Sequence, residues 1–148
     1  RVNAQGYFNV PFGRYKNPKI VDEPNLRLVR KVLKQAQLIC GDFSRVLDFV
    51  CRETFVYLDP PYYPVSATAN FTGYTSSAFG PEEQKRLAGV FRELDKRGCL
   101  VMLSNSDTPF IRDLYSGYNI QVVHARRAIN CRPERRGPIT ELVIRNYI

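Results

Sequence analysis

Apolar and polar positions recur with changing period along this chain, and the changes mark out its elements. Residues 1–20, RVNAQGYFNVPFGRYKNPKI, hold two glycines, two prolines and four aromatic rings with no helical period, the pattern of a loop or hairpin module. Pro24 suits a first helical turn. Leu26, Val29 and Leu33 then recur on one face, with Arg27, Arg30, Lys31 and Lys34 elsewhere, which predicts a helix. Residues 38–40 read as a short buried strand ending at Gly41-Asp42, and residues 44–51 as a second, short helix. Residues 54–58 form an apolar strand pattern that runs straight into Asp59-Pro60-Pro61-Tyr62.

A stretch without clear period follows, up to Phe79; loops of that length inside a compact domain are usually functional or disordered. Gly80-Pro81-Glu82-Glu83 then opens the best helical pattern in the chain, with acidic residues at its positive end and Gly98 as its stop. Residues 99–103 predict a strand, 109–115 a short helix, and 120–125 and 140–145 two closing strands. Strand–helix alternation followed by two adjacent strands implies an α/β fold, its sheet mostly parallel with an antiparallel edge.

Composition narrows the function classes. A chain of 148 residues, 44% hydrophobic and 24% charged, is ordinary for one globular domain. No apolar run approaches the ~18 residues that span a bilayer. The four cysteines (Cys40, Cys51, Cys99, Cys131) include no Cys-x-x-Cys pair, and His124 is the only histidine. Zinc clusters and Ser-His or Cys-His triads are therefore poorly supported, and no metal is expected. Reduced thiols of a cytosolic protein are the better reading of the cysteines.

The net charge of +8 is uneven. Residues 1–34 carry eight basic and two acidic side chains (+6), residues 124–148 six and two (+4), and the middle eight and ten (−2). Basic ends around a near-neutral centre suit two phosphate-contacting surfaces; a solvated basic surface without a partner is the plain alternative.

The sharpest chemical signal is Asp59-Pro60-Pro61-Tyr62 at the end of an apolar strand, where open α/β sheets bind ligands. The carboxylate offers acceptors and no donors, and the prolines stiffen the turn and leave the Pro60 carbonyl as a further acceptor. Tyr62 adds a flat ring. Two acceptors beside a stacking ring suit a planar group with an exocyclic NH2, whose lone pair they would aim at an electrophile. An ordinary Pro-Pro turn capped by Asp59 is the competing reading. Tyr63, Phe71, Tyr74 and Phe79, mixed with Ser66, Thr68, Asn70, Thr72, Thr75, Ser76 and Ser77, suit a base-and-phosphate surface. Phe71 and Phe79 are expected to pack beneath that loop.

Several segments together resemble one family. VYLDPPYYPVSATANFTGYTSSAF is similar to the catalytic motif and adjoining loop of Dam-type DNA adenine-N6 methyltransferases. RVNAQGYFNVPFGRYKNP resembles their target-recognition hairpin, VMLSNSDTPFIRDLY the strand and helix after the catalytic loop, and HARRAINCR the basic segment before the final strand. The likeness covers essentially the whole chain in family order.

The resemblance implies the C-terminal part of a Rossmann-like methyltransferase sheet with an antiparallel edge, preceded by part of a DNA-recognition hairpin. It divides the chain into residues 1–20 and a catalytic portion, 21–148. It implies methyl transfer from S-adenosylmethionine to adenine N6 of double-stranded DNA, usually within GATC, in marking or restriction-modification, and in the cytoplasm of a bacterial or virus-infected cell.

Carried over residue by residue, Asp59 and the Pro60 carbonyl would hold the amine, with Pro61 completing the turn. Tyr62 would stack on the flipped base. Asp59 would also lie near the methionine end of the cofactor, and Asp42 and Phe43 near its adenine; a plain turn with Phe43 in the core is the alternative for the last two. Arg1 resembles a guanine reader and Pro11 the partner of a thymine methyl, with Tyr15 near that surface. Asn3, Asn9, Arg14 and Lys16 suit phosphates, as do Arg126 and Arg127, and Asn70 belongs to the DNA-facing loop.

The family's glycine-rich cofactor turn has no counterpart, since the nine glycines never form a Gly-x-Gly. With a start at Arg1 rather than Met, this predicts a C-terminal piece of a longer enzyme, inactive alone yet retaining weak, salt-sensitive DNA binding. Two rival readings remain. One is an RNA or protein amino-methyltransferase, whose tetrad usually begins with Asn and which lacks the FNVPFGRYK hairpin. The other is a DNA-binding module without catalysis.

Overall fold

The computed structural model describes residues 5–7, 16–65, 79–126 and 138–148. The expected recognition hairpin, the loop containing Asn70, and Arg127 lie largely or wholly outside these residues. The chain forms two compact units, Arg1–Cys40 and Gly41–Ile148.

In the first unit, helix α1 (Glu23–Leu33) begins where the sequence places it. Asp22 caps it by accepting from the Asn25 N–H at 3.3 Å, and Pro24 sits in its first turn. Its apolar side chains Leu26, Val29 and Leu33 remain exposed, and none of its residues is buried. The strand expected over residues 38–40 does not form. A strand exists only as a rung of a ladder, and this stretch pairs with no neighbour among the described residues; Leu38 and Ile39 are exposed.

The second unit is a mixed α/β assembly. The short helix expected over residues 44–51 is a 3-10 helix (Phe43–Asp48), started by Asp42, whose carboxylate accepts from the Ser44 N–H at 2.9 Å. The unit continues as β1 (Phe55–Leu58), α2 (Pro81–Lys96), β2 (Leu100–Ser106), α3 (Pro109–Leu114), β3 (Asn119–Arg126) and β4 (Pro138–Arg145). The strand order is β1-β2-β4-β3. Strand β1 runs parallel to β2, while β2–β4 and β4–β3 are antiparallel. The described sheet is thus not mostly parallel: β4 returns between β2 and β3, so two of its three ladders are antiparallel. Period and length cannot reveal such an insertion. No described helix is long and apolar enough to cross a membrane.

Helix α2 shows why local sequence sets this framework. Pro81 fixes the first turn, Glu82 and Glu83 complement its positive end, and Leu87, Ala88, Val90, Phe91 and Leu94 make a buried stripe. Gly98 ends it with φ +76°, a conformation that penalises any Cβ. The stripe packs with Val101, Leu103, Leu142 and Ile144 of the sheet and Ile111 and Tyr115 in one core. Asn146 ties this core together: its Oδ1 accepts from the Val101 N–H at 2.7 Å, and its Nδ2 donates to Asp95 and to the Cys99 carbonyl.

Candidate active site

The carboxyl end of β1 and the first turns of α2 border a cleft of about 760 Å³, within the usual size for a small-molecule site. Asp42, Phe43, Asp59, Pro60 and Pro61, read from distant parts of the sequence, all line it. Phe43 packs against the core cluster and also presents its ring to the cleft, 5.8 Å from the Phe79 ring centroid. Phe79 is half-buried and likewise lines the cleft.

Asp59 follows β1 directly and is exposed. Among the described residues its carboxylate makes no ion pair or side-chain hydrogen bond, and the Pro60 carbonyl accepts none. These are the two acceptors that the sequence expectation assigns to an exocyclic amine. Tyr62 is half-buried and is not among the cleft-lining residues. Burial pushes its phenol above the ordinary range. Nearby, the Ser104 hydroxyl lies 2.7 Å from the Tyr57 hydroxyl.

Arg86 of α2 was not visible as a site residue in the sequence. Its guanidinium grips Asp42 with two donors, Nη1 to Oδ1 at 3.0 Å and Nη2 to Oδ2 at 2.7 Å, and lies 4.2 Å from the Phe43 ring centroid. It also pairs with Glu83. A ligand that used Asp42 as an acceptor would share or displace this clamp.

Hydrogen bonds from Arg86 first, and then from Ser44, hold the Asp42 carboxyl far below the usual carboxylate range. A folded-state value lowered in this way contributes stability that is complete above the unfolded value, ~3.9, and is lost as pH falls through the folded value. Arg86→Ala should therefore raise the Asp42 midpoint, though Ser44 should keep it below the ordinary range. A carboxyl-carbon NMR titration checks this; an unmoved midpoint would contradict the clamp.

The remaining predicted residues are dispersed or undescribed. Lys16 is exposed in the first unit, and Arg126 ends β3. Arg1, Asn3, Asn9, Pro11, Arg14, Tyr15, Asn70 and Arg127 lie outside the described residues. Among the described residues, no group of three or more His, Cys, Asp or Glu could hold a metal ion.

Comparison with known proteins agrees with this architecture. A model of the D12 class of N6 adenine-specific DNA methyltransferases matches residues 1–129. The type II methyltransferase M.MjaIII of Methanocaldococcus jannaschii is 53% identical over 99% of this chain and 52% of its own. The type II methyltransferase M1.LlaDCHI of Lactococcus lactis subsp. cremoris is 43% identical over 99% and 52%. The DNA adenine methylase of Escherichia coli K12 is 37% identical over 97% and 51%. The chain belongs to the D12 class of N6 adenine-specific DNA methyltransferases. It spans about half the length of the curated relatives it matches.

Proposed function

We propose that this chain carries the amine-accepting part of a DNA adenine-N6 methyltransferase site, with S-adenosylmethionine as donor and GATC as target. The observation that carries the reading is a pair of acceptors without a partner among the described residues, the Asp59 carboxylate and the Pro60 carbonyl, on the same cleft as Asp42 and Phe43. Asp59 and Pro60 accept the two N–H bonds of adenine N6, and Tyr62 stacks on the extruded base. Held so, the nitrogen directs its lone pair away from both acceptors. No covalent nucleophile of the protein is involved.

The cleft suits the cofactor chemically. Phe43 offers a face for a purine, Asp42 an acceptor for its amine, and Asp59 a carboxylate for the ammonium of the methionine end. When bound, S-adenosylmethionine supplies a methyl group activated by its sulfonium. A β1-β2-β4-β3 order, with an antiparallel strand inserted next to β2, supports the Rossmann-like reading with residues 21–148 as its C-terminal portion.

The DNA-facing assignments belong to the same reading, with residues 1–20 as part of the recognition hairpin. Arg1, Pro11 and Tyr15 read bases there, while Asn3, Asn9, Arg14 and Lys16 position phosphates. Asn70, Arg126 and Arg127 extend the contact. In the natural gene product that carries this chain, Arg1→Ala should relax discrimination at one guanine by roughly 1–3 kcal/mol. Lys16→Ala should weaken all sequences alike and flatten the salt slope by about one unit. Binding titrations on GATC duplexes and their single-base variants, from about 50 to 200 mM salt, check both. A changed preference in Lys16→Ala with none in Arg1→Ala would invert the assignment. Equal affinity for RNA of the same sequence would count against duplex DNA as the substrate.

A further inference from the structure

Two polar side chains that the functional reading leaves unused are fully buried, Gln84 on α2 and Asn105 on β2. A buried amide is costly unless its donors and acceptor are met. Here they are met by a directed chain that ends on the turn bearing the acceptors. Asn105 Oδ1 accepts from the Tyr63 N–H at 3.0 Å and from the Ser106 N–H at 2.9 Å. Asn105 Nδ2 donates to Gln84 Oε1 at 3.0 Å, and Gln84 Nε2 donates to the Pro61 carbonyl at 2.9 Å. The Ser106 hydroxyl donates to the Tyr63 carbonyl at 2.7 Å.

Each amide has only one workable orientation. Reversing Asn105 would turn its NH2 toward two N–H groups, and reversing Gln84 would set its oxygen against the Pro61 carbonyl. Three backbone groups of the turn are therefore fastened to α2 and β2. The one carbonyl between Asp59 and Pro61, that of Pro60, accepts no bond among the described residues.

We infer that Gln84 and Asn105 are positioning residues for methyl transfer. They hold the Pro61 carbonyl and the Tyr63 amide back against the protein and so leave the Pro60 carbonyl and the Asp59 carboxylate to receive the amine. The inference rests on the methyltransferase reading above. Its leverage comes from geometry, because a misplacement of ~1 Å in a reacting constellation can cost ~10²-fold in rate.

The test uses the natural gene product with S-adenosylmethionine and a GATC duplex under single-turnover conditions. Gln84→Met keeps the side-chain length and removes both ends of the relay. Its rate constant at saturation should fall by about tenfold or more, with cofactor and DNA dissociation constants within about threefold of the parent. Asn105→Asp still accepts from Tyr63 and Ser106 but, ionised, gives nothing to Gln84, so it should lose less rate than Asn105→Ala. Should Gln84→Met fail to fold, Gln84→Glu keeps the length and an acceptor for Asn105, and the same split should appear.

A rate within twofold of the parent in the Gln84 variant would overturn the role. So would a rate loss matched by an equal loss of cofactor and DNA affinity, the mark of general loosening. A parent that methylates no adenine overturns the functional reading and this role with it. An active parent with insensitive variants overturns this role alone.

Discussion

Asp59→Ala is expected to reduce methyl transfer by the natural gene product by at least about 10²–10³-fold, the usual cost of removing a preorganised group aimed at developing charge. Asp59 stands exposed at the end of β1 with no described partner, so its carboxylate contributes nothing visible to the fold. Thermal stability should therefore stay within about ±0.5 kcal/mol, as for other surface substitutions away from special features. DNA affinity should change by no more than a few-fold, because phosphate contacts dominate it. Asp59→Asn should lose less than alanine, since it keeps one acceptor oxygen. Single-turnover methyl transfer at saturating cofactor measures the rates, thermal melting the stability and a binding titration the DNA affinity; substantial turnover by Asp59→Ala would remove the carboxylate from the mechanism.

The second large effect is on stability. Phe91→Ala should destabilise the protein by about 3–5 kcal/mol, the usual range for emptying a buried aromatic site. Phe91 is fully buried on α2 and meets Tyr115 and Tyr118 edge-on, with centroids 5.3 and 4.7 Å away. Those rings anchor α2 against the chain around α3, so neither can easily collapse into the vacated space. At roughly 2–4 °C per kcal/mol for a domain of this size, the melting temperature should drop by about 6–20 °C. Because α2 also carries Gln84 and Arg86, loosening it should disturb the cleft at temperatures where Asp59→Ala leaves the cleft intact. Calorimetric or circular-dichroism melting checks the figure; a loss under about 1 kcal/mol would mean the site repacks.

Elements with strong local signals were legible in the sequence. Helix α2 has a Pro start, acidic first turn, periodic stripe and glycine stop, and the Asp-Pro-Pro-Tyr turn follows an unbroken apolar strand. Asp42 and Phe43, placed near a cofactor by the family resemblance alone, line one cleft with Asp59, Pro60 and Pro61. Residues 38–40 misled because an apolar triplet signals burial but not the ladder partner a strand needs.

The relay was missed for the opposite reason. Gln84 occupies a position of the α2 stripe where the 3.6-residue period asks for an apolar side chain, and Ser104-Asn105-Ser106 interrupts an apolar strand. Both are usable warnings of buried hydrogen bonding. Their partners, however, lie 21 to 43 residues away, which no local period encodes. Arg86 is hidden likewise: as one charge on an exposed helix face it looks solvated, until Asp42 arrives from 44 positions earlier.

The most direct test of the central claim is where the methyl group goes. The natural gene product is incubated with S-adenosylmethionine and duplex DNA containing GATC, the DNA is digested to nucleosides, and the products are weighed by mass spectrometry. N6-methyldeoxyadenosine, formed on the GATC duplex and lost in Asp59→Ala, is the expected result. A methyl group on cytosine, on RNA offered in place of the duplex, or equally abundant in Asp59→Ala would contradict the account.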